Sequence, residues 1–402
     1  MPIAAVNHKA TRRICIIAQS NAFGGAEVHT LGLIKMLIRR GHHVDLIACR
    51  NHEYDDRLRK DGLEDSVRII HTELNVNDTR VVGALEWTIL LRSLSRDILI
   101  FPKSWYLVGS LTLHCLFRIL FGKVFIIEHL EAEAFTSGDW QHPFEFFRRH
   151  TVIMHWLRIK RRTTAYLVDN VIAVSEKVKD RLIKDWAYPT DRIIVIKNGV
   201  DCRELIRDEV SRRRFRVEHD IPSDALVYGM LARLCPEKGI DIAIQAMHQL
   251  VHKKNTKKIC LVVAGEGPER ERLVNLIKTL EIENYVKFIG FVSNPKDAVS
   301  AFDVILFSSR LEGLPLGLLE GMAAGCIPIV TRVSGMPEVI SDPQIGWVVT
   351  PDSPDELCAA MQGVLDFDEG QFKQMQKNAI RKVQDDFDLC KCHTEIAAVC
   401  GV

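Results

Sequence analysis

Two acids, Glu312 and Glu320, stand with seven residues between them in EGLPLGLLEGMAAGCIPIV, Glu312 to Val330. Gly313 and Pro315 mark a turn, and LGLLEGMAAG reads as a helix closed by Gly325. Glu312 then lies before the helix and Glu320 within it. Amides at the helix start, near Leu316 and Gly317, have no partner inside the helix and can hold a phosphate, while a carboxylate can accept paired hydrogen bonds from vicinal hydroxyls. A nucleotide diphosphate sugar carries hydroxyls on both sides of a diphosphate, which would give one acid the ribose and the other the hexose. Arg233 and Lys238, in ARLCPEKGID, lie between a strand and a helix start. There their side chains could reach an anion that the helix dipole favours, although two exposed basic side chains in a loop would look the same. Gly265 and Gly267 in AGEGPER allow close approach of a backbone, and Pro268 suits a first helical turn; a purely structural turn explains that stretch equally well.

The elements that would position these residues repeat with a regular rhythm. RRICIIAQS reads as a buried strand, NAFGGAE as a glycine turn, and the next segment carries Leu31, Ile34, Leu37 and Ile38 at helical spacing before Gly41 and the strand HHVDLIAC. Further apolar runs at DILIF, KVFIIEH and DNVIAVS make the first half an open parallel sheet. After IIVIKNGVD a second series follows: ALVYGMLA, ICLVVAG, VKFIGF, DVILFSS, CIPIVT and GWVVT, each with a helix behind it. The chain is therefore expected to be α/β, with two Rossmann-like doubly wound domains facing each other across a cleft, where open α/β sheets bind ligands at the carboxyl ends of their strands. The arginine-rich stretch RELIRDEVSRRRFRVEHDIPSD reads as a surface helix with a solvated basic face. TLHCLFRILFG, interrupted by Arg118, reads as a buried helix rather than a membrane span.

The bulk numbers narrow the classes. A chain of 402 residues exceeds what one hydrophobic core usually covers. A net charge of +1 gives no global field to recruit nucleic acid. Eleven cysteines, an odd number without a CxxC pair, read as reduced cytosolic thiols. Cys390, Cys392 and His393 lack the second cluster that a zinc site would need. No uncharged apolar stretch of about 18 residues occurs and the start has no signal-like segment, so a cytoplasmic protein, soluble or peripheral on a membrane, is expected. Within 146–168, Arg148, Arg149, Arg158, Lys160, Arg161 and Arg162 alternate with apolar side chains and no acid. Such a face could rest on an anionic membrane surface or be a solvated helix packed on its own domain.

The order of Gly24-Gly25-Ala26-Glu27, Asn198-Gly199-Val200-Asp201, Arg233 with Lys238, Gly265-Glu266-Gly267, and Glu312 with Glu320 resembles the family-four retaining glycosyltransferases of the GT-B fold, from about Arg13 to about Asp386. The resemblance implies an acceptor-binding domain over 1–190, a nucleotide-sugar-binding domain over 191–375, and a last segment, 376–402, packing back on the first domain. It implies that Arg233 and Lys238 bind the donor diphosphate, Glu320 the ribose and Glu312 the transferred sugar. Gly24 and Gly25 would form the loop over the donor, and the base would lie near Gly290, Phe291 and Val292. It also puts His129, at the end of KVFIIEHLEA, against the reacting carbon, beside Glu128 where the family more often has another residue. Glu27 could touch the acceptor or merely favour its helix dipole. The implied reaction is transfer with retention from a UDP-sugar, or secondly a GDP-sugar, to a glycan or lipid-linked acceptor. No Asp-x-Asp stands among these motifs, so no metal and no cofactor beyond the donor substrate is expected. Two other readings compete. A dinucleotide oxidoreductase would need G-x-G-x-x-G after the first strand, which NAFGGAEVHT lacks. A non-catalytic sugar-nucleotide-binding protein of the same fold is disfavoured by the intact Arg233, Lys238, Glu312 and Glu320 set.

Overall fold

The structure is a computed structural model describing residues 11–19, 24–49, 52–74, 81–94, 97–102, 111–129, 159, 162–184, 187–253, 258–292 and 294–402. The chain divides into two compact units, one made of Met1–Ile196 with His393–Val402 and the other of Lys197–Cys392.

The first unit holds a seven-stranded sheet, β1 Arg13–Ala18, β2 His43–Ala48, β3 Val67–His71, β4 Ile98–Phe101, β5 Lys123–Glu128, β6 Asn170–Ala173 and β7 Ile193–Val195, in the order β3-β2-β1-β4-β5-β6-β7. Every pairing in it is parallel. Parallel strands covered on both faces need unbroken apolar runs, and Ile14, Ile16, Leu46, Leu99, Phe125 and Ile172 are all buried. Helix Gly25–Arg39 follows β1, buries Leu31, Leu33, Ile34 and Leu37, and ends at Gly41, whose φ of +81° favours glycine. Strand β3 has no counterpart in the sequence reading, because at the sheet edge its burial is mixed and its pattern weak. Helix Leu111–Leu120 forms as expected but is amphipathic rather than buried, with Leu113 and Phe117 inside and Ile119 80% exposed.

The second unit holds β8 Leu226–Leu231, β9 Ile259–Ala264, β10 Val286–Gly290, β11 Val304–Phe307, β12 Ile327–Thr331 and β13 Trp347–Val349, in the order β10-β9-β8-β11-β12-β13. This sheet too is parallel throughout. Its core joins Tyr228, Leu261, Val263, Leu306 and Ile329 of the strands to Ile244 and Met247 of helix Ile240–His252 and Met361 and Val364 of helix Pro354–Leu365. Both units are thus Rossmann-like doubly wound domains, as expected. The expected last segment, 376–402, divides. Helix Glu369–Asp386 stays with the second unit, where Gln376 donates to the Gly325 carbonyl and Asn378 to that of Gln344, and only His393–Val402 belongs to the first.

One reading of the second unit is corrected. Helix Glu209–Glu218 exists and Arg213 and Arg214 are exposed as expected, but two of its arginines face inward: Arg216 is 3% exposed, and Arg212 and Arg216 reach the two oxygens of buried Asp303 at 2.7 and 2.8 Å. Arg216 also donates to the carbonyls of Ala225 and Ala301, and Asp303 accepts from the Val227 amide. The buried charges persist because each has partners on several sides. Most of the basic segment 146–168 lies outside the described residues, and among those described no helix is long and apolar enough to cross a membrane.

Candidate functional site

In the second unit the chain lays β8, β9 and β10 outward on one side and then returns to place β11 on the other side of β8. The order reverses between β8 and β11, and at such a point the loops after the two strands part to leave a ligand-sized gap. The predicted cations and acids belong to these two loops and to the helix that follows β11. Arg233 is exposed just past the end of β8. Lys238 lies in the following turn, and its Nζ meets Oε1 of Glu312, beyond β11, at 2.6 Å. The Glu312 side chain is 6% exposed and that of Lys238 25%. Burial works against the charge on Lys238, but the Glu312 carboxylate outweighs it and holds the ammonium above its ordinary pKa.

A frame of hydrogen bonds fixes this pair. Ser309 Oγ donates to Glu312 Oε1 at 3.0 Å, and Ser334 binds both the amide and the carbonyl of Glu312. Arg310 forks onto Asp241 at 3.0 and 3.1 Å, reaches Asp352, and donates to the Pro236 carbonyl, tying the loop after β11 to the turn that carries Lys238. Ser308 Oγ donates to the Gly239 carbonyl at 2.7 Å. Gly239, at φ +59°, comes so close to the Ser308 carbonyl that a Cβ would stand 2.0 Å from it. None of Ser308, Ser309, Arg310, Ser334 or Asp241 was singled out from sequence, because isolated serines and surface-type charges carry no pattern of their own.

Helix Leu316–Ala323 begins at Pro315 without a side-chain cap. Gly317 lies where a Cβ would touch Phe307 and Leu231, at 3.4 and 3.5 Å, so it lets the helix start sit tightly on the ends of β8 and β11. Leu316 is buried beside it. The Glu320 side chain, one turn on, has no ion pair or hydrogen bond among the described residues, and burial pushes its carboxyl up to about 7. Phe291, just past β10, is 65% exposed. Gly265 and Gly267 are required by the protein's own backbone: a Cβ would fall 1.9 Å from the Ala232 carbonyl at one and 2.3 Å from that of Leu234 at the other. They let the loop after β9 hold the Arg233 turn, through Leu234 N to Glu266 O at 3.0 Å and Glu269 N to Leu234 O at 3.0 Å. Asn198 likewise has a local task, donating to the Leu314 carbonyl at 2.8 Å, and Gly199 packs against the backbone of Asp388 and Leu389.

In the first unit Gly24 caps helix Gly25–Arg39, and the buried Glu27 carboxylate accepts from the Gly24 amide at 2.9 Å. That is the helix-start role open to it from sequence, and Gly25 is the first helical residue. His129 follows β5 and is 8% exposed, and Glu128 beside it is buried as well. His129 packs edge-on against His29 at 4.9 Å between ring centroids, and His29 against His393 at 6.1 Å. Burial first, then the proximity of His129 and His393, lowers the His29 pKa well below the usual value, so His29 is neutral at pH 7. His29 and His393 were not foreseen as neighbours of His129, because only the fold brings them together.

Comparison with known proteins follows the two-unit division. The model for glycosyl transferases group 1 matches residues 211–382, and that for glycosyltransferase family 4 matches residues 23–204. Among curated proteins the chain is 35% identical over 146 residues to the O-antigen biosynthesis glycosyltransferase WclY of Escherichia coli, covering 36% of this chain and 39% of that one. The match thus spans well under half the length of that relative. A glycosyltransferase from Rickettsia africae superposes with a TM-score of 0.76 at 20% identity, over 98% of each chain. Anabaena Alr3699/HepE, crystallised with UDP, gives 0.75 at 19% identity, over 96% of this chain and 98% of that one. At these identities the structural likeness concerns the fold.

Proposed function

We propose, for a chain that belongs to the group 1, family 4 glycosyltransferases of the GT-B fold, that it is an enzyme moving a sugar from a nucleotide diphosphate sugar, a UDP-sugar before a GDP-sugar, to a glycan or lipid-linked acceptor in cell-surface polysaccharide synthesis. The observation that carries this reading is the Lys238–Glu312 pair at the switch point between β8 and β11, with Arg233 on the loop after β8 and Glu320, whose side chain has no partner among the described residues, on the helix after β11. The name of WclY and the UDP bound by HepE support the polysaccharide context and the choice of base.

Each group then has a task set by its chemistry. Arg233, which is exposed, and Lys238 would bind the diphosphate and offset charge growing on the leaving oxygen, aided by the amides at Leu316 and Gly317. Lys238 is already held by Glu312, so no reorganisation is needed as the charge develops. Glu320 would accept from the ribose hydroxyls, which replace the water that its burial has removed. Glu312, with Oε1 occupied by Lys238 and Ser309, would offer Oε2 to the transferred sugar. Phe291 and the main chain at Gly290 would receive the base, and Gly24 and Gly25 would bound the sugar and acceptor. His129 would face the reacting carbon, and Glu27, while capping its helix, would border the acceptor.

In the transfer the bond from the anomeric carbon to the diphosphate oxygen breaks. A bond from the acceptor oxygen to the same carbon forms on the same face, and the acceptor proton passes to the departing diphosphate. Catalysis is then mostly positioning and charge stabilisation, and two cations do what a divalent ion would otherwise do for the diphosphate. Segment 146–168 is proposed to rest on anionic lipid at the cytoplasmic membrane face, which liposome sedimentation at low and high salt would test.

The direct experiment is donor binding and turnover in the intact chain. Glu320→Ala should weaken UDP-sugar binding at least tenfold, for loss of charge-assisted hydrogen bonds of about 1.5–3 kcal/mol. His129→Ala should lower kcat with donor affinity unchanged, and NMR of the product should give the anomeric configuration of the donor. Wild-type donor affinity and turnover in both variants, or an inverted product, would overturn the assignment.

A further inference from the structure

We propose that His52, Asp55 and His71, at the edge of the first sheet, form a binding site for a divalent transition-metal ion of the zinc class. His71 ends the edge strand β3, while His52 and Asp55 stand at the start of helix Glu53–Lys60. One ligand atom from each lies within 4.8 Å of the other two. His71 Nε2 is 3.0 Å from Asp55 Oδ2, and His52 Nδ1 is 3.7 Å from the same oxygen. Donors about 2.0–2.1 Å from a tetrahedral ion lie roughly 3.3 Å from one another, and these two separations bracket that figure.

The hydrogen-bond chemistry points the same way. His71 Nδ1 is 2.9 Å from the Cys49 carbonyl, which can only accept, so Nδ1 carries the ring proton. Nε2 therefore turns its lone pair towards a carboxylate, itself an acceptor. Two acceptors at 3.0 Å need a cation, either a second ring proton or a metal ion. A backbone carbonyl on the far nitrogen is the outer contact that commonly orients a metal-bound histidine. His71 Nε2 meets both carboxylate oxygens of Asp55, Oδ1 at 3.1 Å and Oδ2 at 3.0 Å, and Oδ2, which both histidine rings approach, is a buried atom with no hydrogen bond of its own among the described residues.

The remaining features suit a cation at this place. His52 adopts φ +52°, and its ring centroid lies 4.5 Å from that of His71. The first turn carries Glu53, Asp55 and Asp56, which offset the positive helix end that would otherwise repel an ion. Two imidazoles and one carboxylate favour zinc, copper or nickel over magnesium or calcium. The exposed His52 leaves a side open to water as a further ligand. An ion here would fasten the helix to the sheet edge and uses none of the residues assigned to the donor, so its failure and the failure of the proposed function are distinguishable.

The test is zinc titration of the intact, chelator-stripped chain by calorimetry at pH 7.5, with the cobalt(II) absorption spectrum as a report on nitrogen ligation. H52Q and D55N are compared with wild type, and unfolding curves verify that both fold; His52 is exposed, so H52Q in particular should leave the packing intact. H248A controls for the exposed His248–His252 pair, whose ring nitrogens lie 3.0 Å apart. The expected result is one zinc equivalent whose affinity falls at least tenfold in H52Q and D55N and is kept in H248A. The cobalt band should weaken in the same two variants. Affinity within threefold of wild type in H52Q and D55N, or no zinc bound at about 100 µM, would overturn the proposal and leave an imidazolium–carboxylate pair.

Discussion

Glu320 offers a test in which stability and binding must move in opposite directions. Its carboxyl is part-buried and without a side-chain partner among the described residues, and desolvation pushes it up to about 7. A raised acid pKa means that the folded chain holds a proton which the unfolded chain releases. The contribution is favourable in full below pH 4.5, decays as pH rises through about 7, and leaves the ionised acid as a burden above that. Holding that proton up to about pH 7 instead of the ordinary carboxyl range corresponds to roughly 3 kcal/mol. Glu320→Gln removes the titration and keeps the shape, so the second unit of the variant should match wild type near pH 4.5 and exceed it by about 2–3 kcal/mol at pH 8. Urea unfolding of the ligand-free chain at the two pH values reads this directly. Trp347, the sole tryptophan between Lys197 and Cys392, can report on that unit if the other five are replaced. In the same variant, UDP-sugar affinity at pH 8 should fall about tenfold or more, because a neutral amide accepts ribose hydroxyls less strongly than a carboxylate. A stability difference that does not change with pH, or a variant less stable than wild type at pH 8, would refute the reasoning. Function at this position would then be bought with no stability.

Lys238→Met should destabilise the second unit by about 2–3 kcal/mol, since removing one partner strands the buried Glu312; full burial would make the loss roughly 3–5 kcal/mol, and the part-exposed lysine lowers it. Adding Glu312→Gln should recover much of that loss in a double-mutant cycle, and additive losses would show that the 2.6 Å contact carries no coupling. Because the Lys238 pKa is raised, the pair's contribution should be constant through neutral pH and be lost only as pH rises past about 10.4, so unfolding curves with the Met variant as reference should give the same difference at pH 7 and pH 9 and a smaller one above pH 11. Asp303→Asn should cost more than about 3 kcal/mol, as it leaves Arg212 and Arg216 short of their carboxylate, and wild-type urea midpoints would contradict the clamp.

The strands were legible because parallel sheets demand apolar runs that local sequence displays, as ICLVVAG and DVILFSS do. The exception, β3, is an edge strand whose half-exposed residues give no such run. Glu312 before its helix and Glu320 inside it could also be placed, since glycine and proline punctuate that stretch. What each glycine was for could not be read. Gly265 admits no Cβ because the Ala232 carbonyl occupies the space, a fact of two loops crossing. Arg212 and Arg216 looked like part of a wetted face because their partner, Asp303, lies about ninety positions away.

The sequence by itself determined a doubly repeated α/β rhythm, the loops that carry Arg233, Lys238, Glu312 and Glu320, and the family to which their order belongs, since backbone conformation and local periodicity are written in neighbouring residues. Only the tertiary structure decided that Lys238 pairs with Glu312, 74 positions on, that Glu320 has no counter-charge among the described residues, and that His52 and Asp55 meet His71. Charge, burial and ligand geometry depend on distances through space, and those exist only once the sheets have ordered their strands.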